Sequence, residues 1–156
     1  MTEEQFYELQ PLAIFGVSSQ GKGFGAAAYL ELKQVGVQVF AINPKGGLVK
    51  GEKIYPTLKE TPEQAKGAVI LTKGDSAIAA VEECSREGII SVWLQGGSDS
   101  PEVRKLCDEL DIDRMTGSCI LMRKGRFPHN IHRFFNDLFN KPKQSGNSGT
   151  LLREGK

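Results

Sequence analysis

Short apolar runs alternate with stretches of helical spacing along most of the chain, and this alternation leaves few folds open. Leu12–Val17 is a continuous apolar run, as expected of a strand buried on both faces. Ala26–Val35 follows, with Ala26, Ala27, Leu30 and also Tyr29 at helical spacing and Gly36 as its stop. Val37–Ile42, ended by Asn43-Pro44, reads as a second strand, and Gly67–Thr72 as a third. Between them, Lys45–Gly51 reads as a loop or small ribbon, with a short helix near Pro62–Ala65. A helix N-capped by Asp75 or Ser76 carries Ile78, Val81, Cys84 and Ser85 inward and ends at Gly88. Ile89–Leu94 is a fourth strand. Ser100-Pro101 opens a helix to about Leu110, and Ile112–Met115 is a fifth strand. Cys119–Met122 and Arg126-Phe127 flank a hairpin turn at Lys124-Gly125. Pro128 starts a last amphipathic helix with Ile131, Phe134, Phe135, Leu138 and Phe139 on one side. The expectation is the α/β class: a doubly wound parallel sheet in three layers, with a C-terminal amphipathic helix.

Composition sets the limits around that fold. A chain of 156 residues has the size of one domain, placed at residues 1–140. Residues 141–156 are polar, rich in Gly and Ser, and carry a net charge of +3, which reads as a disordered tail. The formal net charge of the whole chain is only +1, which argues against a nucleic-acid binder. No apolar stretch is long enough to span a bilayer, so no membrane is expected. The N-terminus is acidic and lacks the apolar core of a secretory signal. Cys84, Cys107 and Cys119 are far apart and form no CxxC pair, so a reduced, cytoplasmic protein is expected. From Arg114 to Arg133 there are five basic residues, two histidines and no acid. That stretch is either a solvated basic face or one wall of an anion site.

In a doubly wound sheet, ligands sit beyond the carboxyl ends of the strands, near the point where strand order reverses. Gly16-Val-Ser-Ser-Gln-Gly-Lys-Gly-Phe-Gly25 follows the first strand. Its glycines, Gly16 and Gly23 among them, let backbone approach a ligand. Its amides and the helix start behind them suit a pyrophosphate. Ser18 and Ser19 add hydroxyls, and Lys22 adds a charge. The spacing is neither G-x-G-x-x-G from the strand end nor a Walker A loop. Asn43-Pro44-Lys45 ends the second strand, where an NAD-binding domain usually places an acid for the ribose 2′-hydroxyl. No acid occurs before Glu52. Lys45 therefore favours a ribose carrying an extra phosphate, either the 3′-phosphate of coenzyme A or the 2′-phosphate of NADP, over NAD. No catalytic constellation declares itself, and no metal set. His129 and His132 lack a companion ligand within the same turn and read as packing or capping residues. Cys119 follows a glycine and a serine and sits near basic residues, but reads first as a buried structural thiol.

Several of these segments together resemble the small standalone CoA-binding proteins, which are similar to the CoA-binding domain of the succinyl-CoA synthetase alpha subunit. The resembling residues are Ile14–Ser19, Val39–Lys45, Gly51–Leu58, Val92–Gly96 and the Cys119 segment, spread over about residues 11–122. The resemblance implies a Rossmann-like domain that holds the nucleotide end of coenzyme A. It implies that Gly16, Val17, Ser18 and Ser19 face the pyrophosphate, and that Asn43, Pro44 and Lys45 lie by the 3′-phosphate and adenine. Leu71, Thr72 and Lys73 would border the adenine. Leu94, Gln95 and Gly96 would line the route toward pantetheine. The first loop departs from many relatives, whose loop is rich in Pro and Arg, whereas this one reads Gln20–Gly25. The synthetases also use a phosphohistidine and a partner subunit, and nothing here plays those parts. The expectation is a non-catalytic binder of coenzyme A or an acyl-CoA, as carrier, sensor or regulatory module, with homodimerisation or docking to another protein open. The alternative is an NADP-binding module of a redox sensor or dehydrogenase. A third reading is an interaction protein whose basic end binds a protein or RNA.

Overall fold

The computed structural model describes residues 1–117 and 119–121. The predicted hairpin at Lys124-Gly125, the last helix and the tail at 141–156 lie outside them.

Helix α1 (Glu3–Tyr7) opens the fold and was not foreseen from the sequence. It rests on a capping box: Thr2 Oγ1 accepts from the Gln5 amide at 3.2 Å, and Gln5 Oε1 accepts from the Thr2 amide at 2.8 Å. Strand β1 (Leu12–Phe15), helix α2 (Gly23–Gln34) and strand β2 (Val39–Ile42) follow. Next come the ribbon strand β3 (Gly47–Val49) and β4 (Glu52–Tyr55), then β5 (Gly67–Ile70) and α3 (Asp75–Arg86). The described part closes with β6 (Ser91–Leu94), α4 (Pro101–Glu109) and β7 (Asp113–Met115).

The sheet order is β3-β4-β2-β1-β5-β6-β7. All neighbours pair in parallel except β3 and β4, which form an antiparallel ribbon at one edge. The small ribbon expected near residues 45–51 thus uses Glu52–Tyr55 as its second strand, and that strand joins the main sheet beside β2. The α/β doubly wound expectation holds, with one antiparallel edge added. The short helix expected at Pro62–Ala65 is instead a 3₁₀ turn at Leu58–Glu60. Proline drives the preceding residue out of the helical region, and Thr61 has ψ 147°. Glu83 Oε1 on α3 accepts from the Leu58 amide at 2.6 Å and so fixes the turn one element early.

Every residue of β1, β5 and β6 is buried, as the apolar runs require. One face carries Ala13, Phe15, Ala68, Ile70, Val92 and Leu94 against α3 and α4. There Cys84 and Cys107 act as small apolar residues, and burial pushes both thiols up. On the other face Trp93 meets the rings of Phe6 at 5.4 Å and Tyr7 at 6.1 Å. In α2 it is Leu32, not the expected Leu30, that is fully buried. The chain leaves β1 toward β2 on one side, and β5 lies on the other. With right-handed crossovers, strand order therefore reverses between β1 and β5.

Candidate functional site

The loops that leave β1, β2, β5 and β6 gather at this point of reversal. The first turns sharply at Gly16, whose φ is +99°. Ser18 shapes the next turn: its Oγ accepts from the Gln20 amide at 3.2 Å and its carbonyl from Gly21 at 3.1 Å. Among the described residues, the amides of Val17, Ser18 and Ser19 donate to no protein acceptor. The Val17 side chain is buried, so it anchors the loop while its backbone belongs to the rim. Lys22 is the exposed N-cap of α2, and its side chain makes no capping hydrogen bond. A Cβ on Gly25 would collide with the Gly16 carbonyl oxygen, so α2 starts directly against the loop.

The loop after β2 is tied to the first. Asn43 Nδ2 donates to the Val17 carbonyl at 3.0 Å, and Asn43 Oδ1 accepts from the Lys45 amide at 3.0 Å. Gly46 closes the turn onto the Asn43 carbonyl at 2.8 Å. The Asn43 side chain is thereby spent on holding two loops together. Pro44 and Lys45 are exposed on the outside of that turn. Gly47 faces Ser19: a Cβ there would come within 2.9 Å of the Ser19 Cβ, which draws the ribbon over the first loop.

On the other side of the reversal, the Leu71 amide continues the sheet to the Phe15 carbonyl at 3.1 Å. Thr72 packs on Gly16, and Lys73 lays its methylenes over Gly97, where a Cβ would meet Lys73 Cδ at 2.6 Å. Lys22, Lys45 and Lys73 are all exposed and take part in none of the ion pairs among the described residues. Leu94 is buried beneath the rim. Gln95 Oε1 accepts from the Ile120 amide at 2.9 Å, and the Tyr7 hydroxyl donates to the Ile120 carbonyl. The segment around Cys119 is thus held at the carboxyl end of β6. Gly96, with φ +56° and nothing within 4 Å of its Cβ position, leaves that end of the sheet low beside the Lys73-covered Gly97. Ser98 supports them from below through bonds to the Ile70 carbonyl at 2.7 Å and the Gln95 carbonyl at 3.0 Å.

The structure therefore gathers Gly16–Ser19, Lys22 and Gly23, Asn43–Lys45, Leu71–Lys73 and Leu94–Gly96 at the strand ends. Within that set Asn43 and Gln95 serve as scaffold through their side chains. Gly25 was already part of the candidate first loop, whereas Gly47 and Gly97, which also lie close against these loops, escaped sequence reasoning. Their signal was present as glycines crowded at strand ends, but which loop each one touches is a tertiary fact. Arg114 does not join a free basic wall: it pairs with Asp108 and donates to the Arg104 carbonyl at 3.4 Å. Arg123, Lys124, Arg126, Arg133, His129 and His132 lie outside the described residues. Cys119 is half-buried rather than fully buried. No helix among the described residues is long and apolar enough to cross a membrane.

Comparisons with known proteins converge on one domain type. The sequence pattern of a CoA binding domain matches residues 10–124. An ADP-forming acetate–CoA ligase I of Archaeoglobus fulgidus is 29% identical over 86 residues, which are 55% of this chain and 13% of the ligase. The alpha subunit of an ADP-forming acetate–CoA ligase II of Pyrococcus furiosus is 27% identical over 92 residues, 58% of this chain and 20% of that subunit. The chain thus matches a small part of either relative's length. Among solved structures, a hypothetical protein from Pyrococcus horikoshii superposes with a TM-score of 0.67 at 24% identity, covering 77% of this chain and 87% of its own. That likeness is one of fold.

Proposed function

The chain belongs to the CoA binding domain family, and from that premise we propose that it binds coenzyme A or an acyl-CoA by the nucleotide end, without catalysing a reaction. It then serves as a carrier, sensor or regulatory module, alone, as a homodimer or docked on another protein. One observation carries the reading to particular residues: among the described residues the amides of Val17, Ser18 and Ser19 are unpaired at the end of β1, and Lys45 at the end of β2 has no carboxylate partner. Amides ahead of a helix start suit a pyrophosphate. A lysine without a carboxylate partner suits a phosphate on the adenosine ribose, where an NAD site would carry an acid. Leu71–Lys73 border the adenosine. The pantetheine arm leaves across Gly96, which is exposed and has nothing within 4 Å of its Cβ position, beside Gly97 under the Lys73 methylenes.

Thermal unfolding with added nucleotides tests this directly. At a free concentration of about 100 Kd, coenzyme A adds about 2.7 kcal/mol of stability. For a domain of this size that raises Tm by roughly 5–11 °C. NAD produces no comparable shift. A larger shift with NADP than with coenzyme A moves the assignment to the 2′-phosphate cofactor, and a larger shift with NAD overturns it.

A further inference from the structure

The side-chain oxygen of Thr72 is buried, and it has no hydrogen-bond partner among the described residues. Its location is specific. Thr72 follows β5 directly across the point where strand order reverses, and it packs on the backbone of Gly16. A Cβ on Gly16 would lie 3.1 Å from Thr72 Cγ2 and 3.4 Å from the Thr72 amide nitrogen. The neighbouring residues Val17, Ser18 and Ser19 carry the first-loop amides that are unpaired among the described residues. A buried hydroxyl without a partner costs stability, and valine would fill the same space without that cost. Sequence pressure toward stability alone would thus favour valine here.

We propose that the Thr72 hydroxyl is reserved for the ligand and donates to a pyrophosphate oxygen of coenzyme A seated over the Gly16–Ser19 loop. This rests on the coenzyme A reading above. The exchange needs one rotamer change: a turn of about 120° around χ1 carries Oγ1 to the place now held by Cγ2, the methyl that faces Gly16. The hydroxyl then joins the three amides on one anion from the opposite side of the reversal point. Thr72 becomes a residue that selects a diphosphate by hydrogen bonding, separate from the lysines that select by charge.

The test compares wild type, Thr72→Val and Thr72→Ser by calorimetric titration with coenzyme A and with dephospho-CoA, alongside unfolding of the free proteins. Thr72→Val is expected to unfold at the same or a higher temperature when free. It should bind both ligands roughly 10- to 100-fold more weakly, as for the loss of one charged hydrogen bond. Thr72→Ser keeps the hydroxyl and should bind within a few-fold of wild type. If wild type binds coenzyme A and Thr72→Val binds it equally well, the inference falls while the coenzyme A reading stands. If Thr72→Ser loses as much as Thr72→Val, the methyl and not the hydroxyl matters, and the inference falls again. A loss confined to coenzyme A and absent with dephospho-CoA overturns the pyrophosphate assignment. Failure of wild type to bind either ligand overturns the functional reading itself.

Discussion

The carbonyl oxygen of Gly16 occupies the space that a Cβ on Gly25 would need. Helix α2 therefore starts in backbone contact with the turn that ends β1. This contact brings the helix start and the loop amides to one side of the sheet. Gly25→Ala forces backbone apart and should cost ~1–3 kcal/mol or more, as overpacking does. Gly21→Ala is the control, because Gly21 has φ +65° but open space around its Cβ position. It should cost only the left-handed strain of ~1–2 kcal/mol. Urea unfolding and coenzyme A titration separate them: Gly25→Ala loses both stability and affinity. A Gly25→Ala protein with the wild-type midpoint and wild-type affinity contradicts the collision.

Ile120 is gripped at both ends of its peptide groups, by Gln95 on its amide and by Tyr7 on its carbonyl. Gln95→Ala leaves a buried amide unpaired and should destabilise the fold by ~1–3 kcal/mol. Tyr7→Phe keeps the ring against Trp93 and removes one donor, for about 0.5–1.5 kcal/mol. Both act on one residue, so the double variant should lose measurably less or more than the two losses added. Strict additivity in denaturant unfolding would mean that the two contacts are independent.

Asp99 and Arg104 form a paired, two-pronged contact at 2.6 and 2.8 Å at the start of α4. The Arg104 guanidinium holds the Asp99 carboxyl below its ordinary value of 3.8. A carboxylate with a lowered folded pKa contributes stability above the unfolded pKa and loses it as pH falls through the folded one. Asp99→Asn should therefore be less stable than wild type near neutral pH, and the gap should begin to narrow as pH falls below about 4. A gap that stays constant from pH 7 down to pH 3 would remove the ion pair as its cause.

The alternation of apolar runs was enough to read the parallel core, because strands buried on both faces need continuous apolar residues. Leu12–Phe15, Gly67–Ile70 and Ser91–Leu94 came out close to where their runs lie. Strand β4 was illegible: Glu52-Lys53-Ile54-Tyr55 is half charged, and only its place beside β2 makes it a strand. Helix α1 carried a readable capping box in Thr2 and Gln5, but its purpose of covering Trp93 depends on a residue 86 or more positions away. The strand-end loops themselves were legible, and the rule that ligands gather at strand ends points to them. What the sequence hid was commitment: Asn43 and Gln95 look like ligand residues, yet their side chains bind backbone. The orphan hydroxyl of Thr72 was equally hidden, since only the fold decides which polar atoms find partners.

The placement of coenzyme A at the ends of β1 and β2 is tested most directly by a double-mutant titration at Lys45. Wild type and Lys45→Ala are each titrated by calorimetry with coenzyme A and with dephospho-CoA at one salt concentration. A lysine on the 3′-phosphate is worth ~1.5–3 kcal/mol, so Lys45→Ala should weaken coenzyme A by roughly 10- to 150-fold. Dephospho-CoA lacks that phosphate, so it should bind wild type more weakly and hardly notice the substitution. Equal weakening of both ligands by Lys45→Ala, or no binding of coenzyme A to wild type, contradicts the placement.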